Sequence, residues 1–205
     1  MPLIEDVKSM AERLTGLGRP ETVTPRRRKA HAVLFRDDGE TPNNPHFAFV
    51  LYRSPVRLTG AFDPAAVFEV LFAANGWKPA WRNGIYPYNH FHTKTHEVLG
   101  VARGHARVQF GGRNGRIIDV RAGDAFVHPA GVGHRRLSAS RDLLIVGAYP
   151  SGSKYDEPRP HQIDHAKARE TIAKVDLPKA DPIYGPHGPH GPLMEIWRKS
   201  RRGKG

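Results

Sequence analysis

The chain has 205 residues, of which 39% are hydrophobic and 25% are charged, a balance typical of a globular protein with one sizeable core. It contains no cysteine, which excludes a disulfide framework, thiolate metal ligands and a cysteine nucleophile. No apolar run approaches the roughly 20 residues that a membrane span needs, and the amino terminus lacks a secretion-signal pattern. We therefore expect a cytoplasmic protein whose chemistry uses nitrogen and oxygen ligands.

The positive charge of the chain is concentrated in two segments. In total, 32 Lys and Arg residues against 20 Asp and Glu residues give a net charge of +12, which attracts anions. Much of the excess lies in Arg26 to Lys29 and in Arg198 to Lys204. Neither segment interleaves aromatic residues that could stack on bases, and no nucleic-acid motif accompanies them. The pattern favours a solvated linker and a terminal tail over a nucleic-acid site.

The first third of the chain predicts two helices and two strands. Apolar residues at helical spacing predict a short helix over residues 4–14. Strands are expected at His31 to Arg36 and at Phe47 to Arg53. Asp63-Pro64 has the pattern of an N-cap followed by proline, so a second helix is expected to begin there and to end near Asn75-Gly76. We expect that helix to pack outside the main β structure.

From Tyr86 to Tyr149 the sequence consists of short β-rich runs separated by glycine-rich turns, which favours a sandwich or closed barrel. The predicted strands are His96–Arg103, Ala106–Phe110, Ile117–Arg121, Ala125–His128 and Leu143–Ala148. After Pro150 one more helix is predicted at His165 to Val175. A Gly/Pro/His repeat that starts at Gly185 is expected to be extended and mobile, with His187 and His190 offering only adventitious ion binding.

Four residues have the types and spacing of a metal site. His90 and His92 are separated by one residue, so both side chains point to the same face of a strand. Glu97 follows on the next strand, and His134 arrives from a later loop. This set of three nitrogens and one oxygen suits one divalent Fe, Mn, Ni, Cu or Zn ion and leaves one or two positions open. An open position is what metal catalysis requires.

The same residues resemble the two motifs of the cupin superfamily. The first motif is matched at every fixed position, by Gly84, His90, His92, Glu97 and Gly104. The second is matched by Gly123, Pro129, Gly131 and His134. One departure is Ser138, which stands where the second motif often has Asn and which leaves the ligands intact.

Shorter segments resemble a bacterial single-domain group, the YjlB-like cupins. They are Asn75-Gly76-Trp77, Trp81-Arg82-Asn83-Gly84, His96-Glu97-Val98-Leu99-Gly100-Val101 and Val146-Gly147-Ala148-Tyr149-Pro150. The resemblance implies an all-β fold, the cupin double-stranded β-helix or jelly-roll β-barrel, over residues 31–156. An N-terminal helix and basic linker over 1–30 and a C-terminal helix with a flexible tail over 157–205 would flank it. The resemblance also implies a homodimer, and it implies almost nothing about the reaction.

Strand alternation nominates further residues for the pocket. Tyr86 and Tyr88 share the face of His90, and Arg136 shares the face of His134, so we predict catalytic roles for these three. A buried Arg136 would favour a carboxylate-bearing ligand, because its guanidinium binds both oxygens; the alternative is a solvated Arg136 at the barrel mouth.

Other nearby residues are expected to have lesser roles. His96 lies on the face opposite Glu97, so a supporting, interface or surface role is expected. Gln109, Phe126 and His128 are more typical of barrel filling or surface than of a pocket.

Two functions are compatible with these residues. The first is a small-molecule metalloenzyme, with dioxygenase chemistry ranked first because cupins with this ligand set often look like that, and with isomerase or hydrolase chemistry as alternatives. The second is a non-catalytic module that binds a metabolite or the metal itself.

Overall fold

The structure, a computed structural model, describes residues 23–186 and 191–202. The predicted helix over 4–14, and His187 and His190, lie outside the described residues. The strands are β1 (Ala30–Val33), β2 (Phe49–Tyr52), β3 (Trp77–Asn83), β4 (Glu97–Arg103), β5 (His105–Phe110), β6 (Arg116–Arg121), β7 (Ala125–His128), β8 (His134–Ala139) and β9 (Leu144–Pro150). The helices are α1 (Pro64–Ala74), α2 (His165–Ala173) and α3 (Pro192–Arg202). None of these described helices has the length and apolar character needed to cross a membrane.

The strands form two antiparallel sheets that enclose a common interior. The large sheet has the order β1-β2-β7-β4-β9-β3, and the small sheet has the order β6-β5-β8. Apolar residues from both sheets meet between them, including Leu99 and Phe126 from the large sheet and Val108 from the small one. This arrangement confirms the predicted all-β jelly-roll fold.

The central strands of the large sheet are buried on both faces. In β4, Leu99 and Val101 point into the interior, whereas Val98 and Ala102 pack on the outer face against α1 and the C-terminal segment. Such strands read as nearly continuous apolar runs, which is why the sequence predicts them well. α1 begins at the predicted N-cap and proline, since the Asp63 side chain accepts a hydrogen bond from the Ala65 N–H.

Strand β3 lies outside the sequence prediction, because Pro79 interrupts its pattern. Among the described strands it is at the edge of the large sheet and pairs only with β9, and its register shifts between Trp77 and Ala80. An edge strand tolerates proline, since the missing N–H costs no ladder hydrogen bond. β3 carries Trp81 to the rim of the barrel interior.

The C-terminal extension is part of the core. In α3 the indole of Trp197 is fully buried, stacks 4.8 Å from the Phe47 ring and donates from Nε1 to the Ala48 carbonyl at 2.8 Å. Arg198 and Lys199 are exposed, as predicted for a solvated basic segment, but they belong to helix α3, which the sequence did not predict. The apolar residues Leu193 and Trp197 are four apart and share one helical face, a signal that the surrounding Gly/Pro/His repeat and basic residues obscured.

Candidate metal centre

His90 and His134 are held together by the backbone. The two residues form a single antiparallel bridge, in which the His134 N–H donates to the His90 carbonyl at 3.0 Å and the His90 N–H donates back at 3.3 Å. Phe91 packs against Ile172 of α2, and His92 returns to the interior. The predicted alternation of His90 and His92 is thus present, although only a bridge replaces the predicted strand.

Glu97 and His128 face each other across the large sheet. Glu97 opens β4, His128 closes β7, and the two are cross-strand partners in the register of this strand pair. The Glu97 carboxylate therefore lies at the end of the barrel interior where His134, the first residue of β8, is placed.

The four predicted ligands lie in one buried cluster. The Oε2 atom of Glu97 lies 3.2 Å from His92 Nε2, 3.8 Å from His134 Nε2 and 3.4 Å from His128 Nδ1. Coordinating atoms fall into two overlapping groups within 4.8 Å, one of His90, His92 and His134 and the other of Glu97, His128 and His134. Each of these five side chains is at most 4% exposed. The structure thus places His128 beside the four predicted ligands.

Backbone carbonyls orient the three motif histidines. The Nδ1 atom of each histidine faces a carbonyl oxygen. The carbonyl belongs to Tyr88 for His90 (3.3 Å), to Asp156 for His92 and to Val132 for His134 (3.5 Å). A hydrogen bond to a carbonyl requires the proton on Nδ1, which leaves the lone pair of neutral His90 and His134 on Nε2. His92 also contacts Glu97 through Nε2, and it donates both bonds when it is protonated. Metal-binding histidines are oriented in this way by an acceptor on the far nitrogen. The sequence could not identify these acceptors.

The electrostatics of the cluster favour an ionised Glu97 carboxylate and neutral imidazoles at His90, His128 and His134. Burial lowers the pKa of His90 and His134 and lowers that of His128 to about 3. Burial raises the pKa of Glu97. The charge of His92 and its hydrogen bond to Glu97 have a larger effect and lower the Glu97 pKa to about 2. Only His92 has a raised pKa, because Glu97 outweighs the effect of burial there. Divalent metals require ligands in these deprotonated forms.

The donor set fits a divalent transition metal. Imidazole nitrogens with one carboxylate oxygen suit Fe, Mn, Ni, Cu or Zn. Among the described residues, His128 Nε2 is a buried polar atom without a hydrogen-bond partner. The Nδ1 atom of His128 faces Glu97, which makes this histidine a neighbour of the predicted carboxylate ligand. Sequence reasoning treated His128 as filling, because the cross-strand register that pairs it with Glu97 is a tertiary property.

A cavity of about 480 Å³ adjoins the cluster. His90, His92, Glu97 and His134 all line it. Its other walls include aromatic side chains and three exposed charged residues, namely Trp81, Tyr86, Tyr149, Tyr155, Lys78, Arg82 and Glu157. The Arg82 guanidinium is already bonded to Glu69 at 2.6 Å and to Asp63 at 2.8 Å.

The three residues predicted to be catalytic occupy different places. Tyr86 lines the cavity, with its ring 5.2 Å from that of His90. Tyr88 is not among the lining residues; it stacks on Tyr86 at 4.8 Å and carries the Arg159 guanidinium 3.6 Å above its ring. Arg136 is half-buried in β8 and also lies outside the cavity lining, and its backbone N–H donates to the Tyr86 carbonyl at 2.8 Å.

Sequence reasoning did not single out Tyr149. Its hydroxyl interacts with the Glu97 carboxylate and accepts from Trp81 Nε1 at 3.2 Å. Burial, together with the charge of Glu97, raises the Tyr149 pKa well above its usual value. Neither contact has a spacing signature, so the sequence predicts no role for Trp81 at the site.

His96 is a structural residue on the opposite face from Glu97, as the alternation predicted. Its Nδ1 accepts from the Ala130 N–H at 3.0 Å, so its Nε2 donates to the Asp176 carbonyl at 2.9 Å. The ring packs between Phe47 and Trp197 and is buried, which corrects the expectation of a surface or interface position.

Comparisons with known proteins agree with this arrangement. The model of the cupin family matches residues 82–173, which include both histidine motifs. The uncharacterized protein YjlB of Bacillus subtilis (strain 168) is 40% identical over 172 residues, which are 84% of this chain and 99% of that protein. The chain belongs to the cupin family. This cupin therefore shares nearly the whole length of YjlB.

Solved structures with a similar fold are more distant from this cupin. An 11S globulin from Wrightia tinctoria is 19% identical with a TM-score of 0.33, over 45% of this chain and 29% of that chain. WlaRA, a TDP-fucose-3,4-ketoisomerase of Campylobacter jejuni, is 10% identical with a TM-score of 0.36, over 69% of this chain and 94% of that chain. The cupin thus spans less than a third of the globulin. Neither structure bears on the activity of this chain.

Proposed function

We propose that this cupin is a small-molecule metalloenzyme that holds one divalent transition metal through His90, His92, Glu97 and His134. The observation that carries the proposal is that all four side chains line the cavity of about 480 Å³. An ion that serves only structure is usually closed off by protein ligands, whereas a catalytic ion keeps a position open. When bound, the ion supplies a Lewis-acid or redox centre at its open positions.

The chain itself contributes an aromatic cavity wall. Trp81, Tyr86 and Tyr149 line the cavity, and such walls orient a bound small molecule. Among the three residues predicted to be catalytic, we assign contact with the substrate to Tyr86, which Tyr88 supports by stacking. Recognition of a carboxylate by Arg136 stays a prediction, since that side chain lies outside the cavity lining.

Oxygenation is the reaction we rank first, followed by isomerisation and hydrolysis, on the family resemblance of the ligand set. A homodimer and a cytoplasmic location likewise stay predictions from the sequence. A non-catalytic binding module is the competing function, and it would need the same cavity without turnover.

Turnover can be tested without knowing the substrate. The full chain, with His187 and His190 replaced by Ser, would be loaded with Fe(II), Mn(II), Ni(II), Cu(II) or Zn(II) and incubated with a filtered small-molecule extract of bacteria. Mass spectrometry should show at least one compound consumed in large molar excess over protein, and His134→Ala should abolish this loss. A compound retained at one per chain without conversion would support the binding module. A wild-type protein that takes up none of these ions would overturn the proposal.

A further inference from the structure

Tyr149 connects the cavity wall to the carboxylate of the metal site. Strand β9 pairs with β4 so that Ala148 lies opposite Val98, which places Tyr149 opposite Glu97 one residue further along. Tyr149 and Glu97 both line the cavity, and the Tyr149 hydroxyl interacts with the Glu97 carboxylate through a hydrogen bond that contributes to its raised pKa.

The direction of this hydrogen bond is fixed by Trp81. An indole Nε1–H is a donor only, so its 3.2 Å contact with Tyr149 uses a lone pair of the phenolic oxygen. The single hydroxyl hydrogen of Tyr149 is thereby left for Glu97, which accepts it. The chain of donation therefore runs from Trp81 to Tyr149 to Glu97.

The position of Trp81 is itself constrained by a glycine. Trp81 and Gly147 are cross-strand partners, and a Cβ atom on Gly147 would lie 2.1 Å from Cζ2 of the indole. The indole thus lies directly on the backbone of β9, two residues before Tyr149. Its donor nitrogen has a fixed place relative to the phenol.

We propose that Tyr149, oriented by Trp81, is a positioning residue that orients the Glu97 carboxylate for the metal, a role that rests on the proposed metal site. The Oε2 atom of Glu97 faces the imidazoles of His92, His128 and His134. A donor fixed on the β9 side restrains rotation of the carboxylate and keeps that oxygen turned toward them. Loss of such partners of metal ligands costs about 10- to 100-fold in metal affinity.

The test uses Co(II) as the probe in the full chain. Tyr149→Phe removes one oxygen atom, and we expect the Co(II) dissociation constant from chelator competition to rise by about 10-fold. The visible bands of the bound Co(II) should shift, because the carboxylate changes its orientation. Trp81→Phe should shift the bands in the same direction by a smaller amount, which keeps the test valid if Tyr149→Phe does not fold.

Tyr52→Phe is the matched control. It removes a buried hydroxyl that donates to the Asp181 carboxylate at 2.8 Å, away from the metal centre. It should lower stability but leave the Co(II) affinity and spectrum unchanged. In a Glu97→Ala background, Tyr149→Phe should have no further effect on affinity, because it acts through Glu97.

Two results would overturn the proposal, and they are distinguishable. Wild-type binding of Co(II) with an unchanged Tyr149→Phe spectrum and affinity would remove the positioning role and leave the metal site standing. Failure of the wild type to bind Co(II) would remove the proposed function and the positioning role together.

Discussion

Two buried carboxylates of this protein, Glu97 and Asp181, each interact with a tyrosine and yet have different surroundings. Asp181 accepts from the Tyr52 hydroxyl and from three backbone N–H groups, those of Ile183, Tyr184 and Leu193, at 2.8 to 3.1 Å. Glu97 faces imidazoles and Tyr149, and it borders a cavity.

The pKa values of the two groups shift in opposite directions. Burial raises the pKa of Asp181 more than its hydrogen bonds lower it. For Glu97 the imidazoles outweigh burial and lower the pKa to about 2. Backbone N–H groups donate to both oxygens of Asp181, so this carboxylate holds the C-terminal segment in place. Imidazoles that share one carboxylate oxygen can instead share a metal ion.

The largest effect on stability is expected from Asp181→Ala. This change leaves the Tyr52 hydroxyl and three backbone N–H groups without their acceptor, and each buried unpaired group costs about 1–3 kcal/mol. We expect the free energy of unfolding, measured by urea titration of metal-free protein, to fall by more than about 3 kcal/mol. Folded Asp181→Ala should still bind one Co(II) per chain. Loss of the metal with unchanged stability would contradict the assignment of a structural role to Asp181 and a metal-binding role to Glu97.

His134→Ala should weaken metal binding and leave the fold intact. It removes a ligand, so we expect the metal dissociation constant to rise by more than about 100-fold, beyond the loss seen for supporting residues. The far-UV circular dichroism should stay that of a folded barrel. His165→Ala is the control, because His165 pairs with Asp37 at 2.9 Å outside the cluster. Full metal content in His134→Ala would contradict the ligand assignment.

A smaller effect is expected in the pH dependence of stability. The folded-state pKa of His128 is lowered to about 3 from 6.5, so unfolding takes up a proton between these values. Its stabilising contribution is present above pH 6.5 and is lost as the pH falls toward 3. In metal-free His128→Leu, the slope of stability between pH 4 and 6 should be less steep by up to about 1.4 kcal/mol per pH unit. Urea unfolding at several pH values measures this slope. Equal slopes in the wild type and the variant would contradict a lowered pKa of His128.

The parts of the fold that the sequence predicts are those in which local patterns and tertiary packing agree. Ala125–His128 was predicted with its observed bounds, and α1 begins at the predicted Asp63-Pro64 signal. Strand β3 was not predicted, because Pro79 is compatible with a strand only at a sheet edge. Which strand lies at an edge depends on the sheet topology, which the local sequence does not show. α3 was not predicted because its buried Trp197 follows a repeat that looks like a mobile tail.

The candidate site divides in the same way. His90, His92, Glu97 and His134 follow from spacing, because their motifs are local in the chain. His128 and Tyr149 reach Glu97 through the register of β7 and β9 against β4, and Trp81 reaches Tyr149 from β3. The register between strands that are far apart in the chain cannot be predicted from local residue spacing.

The most direct test of the metal centre is anomalous X-ray diffraction from crystals of the metal-loaded full chain, recorded at the absorption edge of the ion found by elemental analysis. We expect one strong peak between the Nε2 atoms of His90, His92 and His134 and the carboxylate of Glu97, with an open side toward Tyr86 and Trp81. A peak elsewhere in the described chain, or a peak whose ligands close every position toward the cavity, would contradict it.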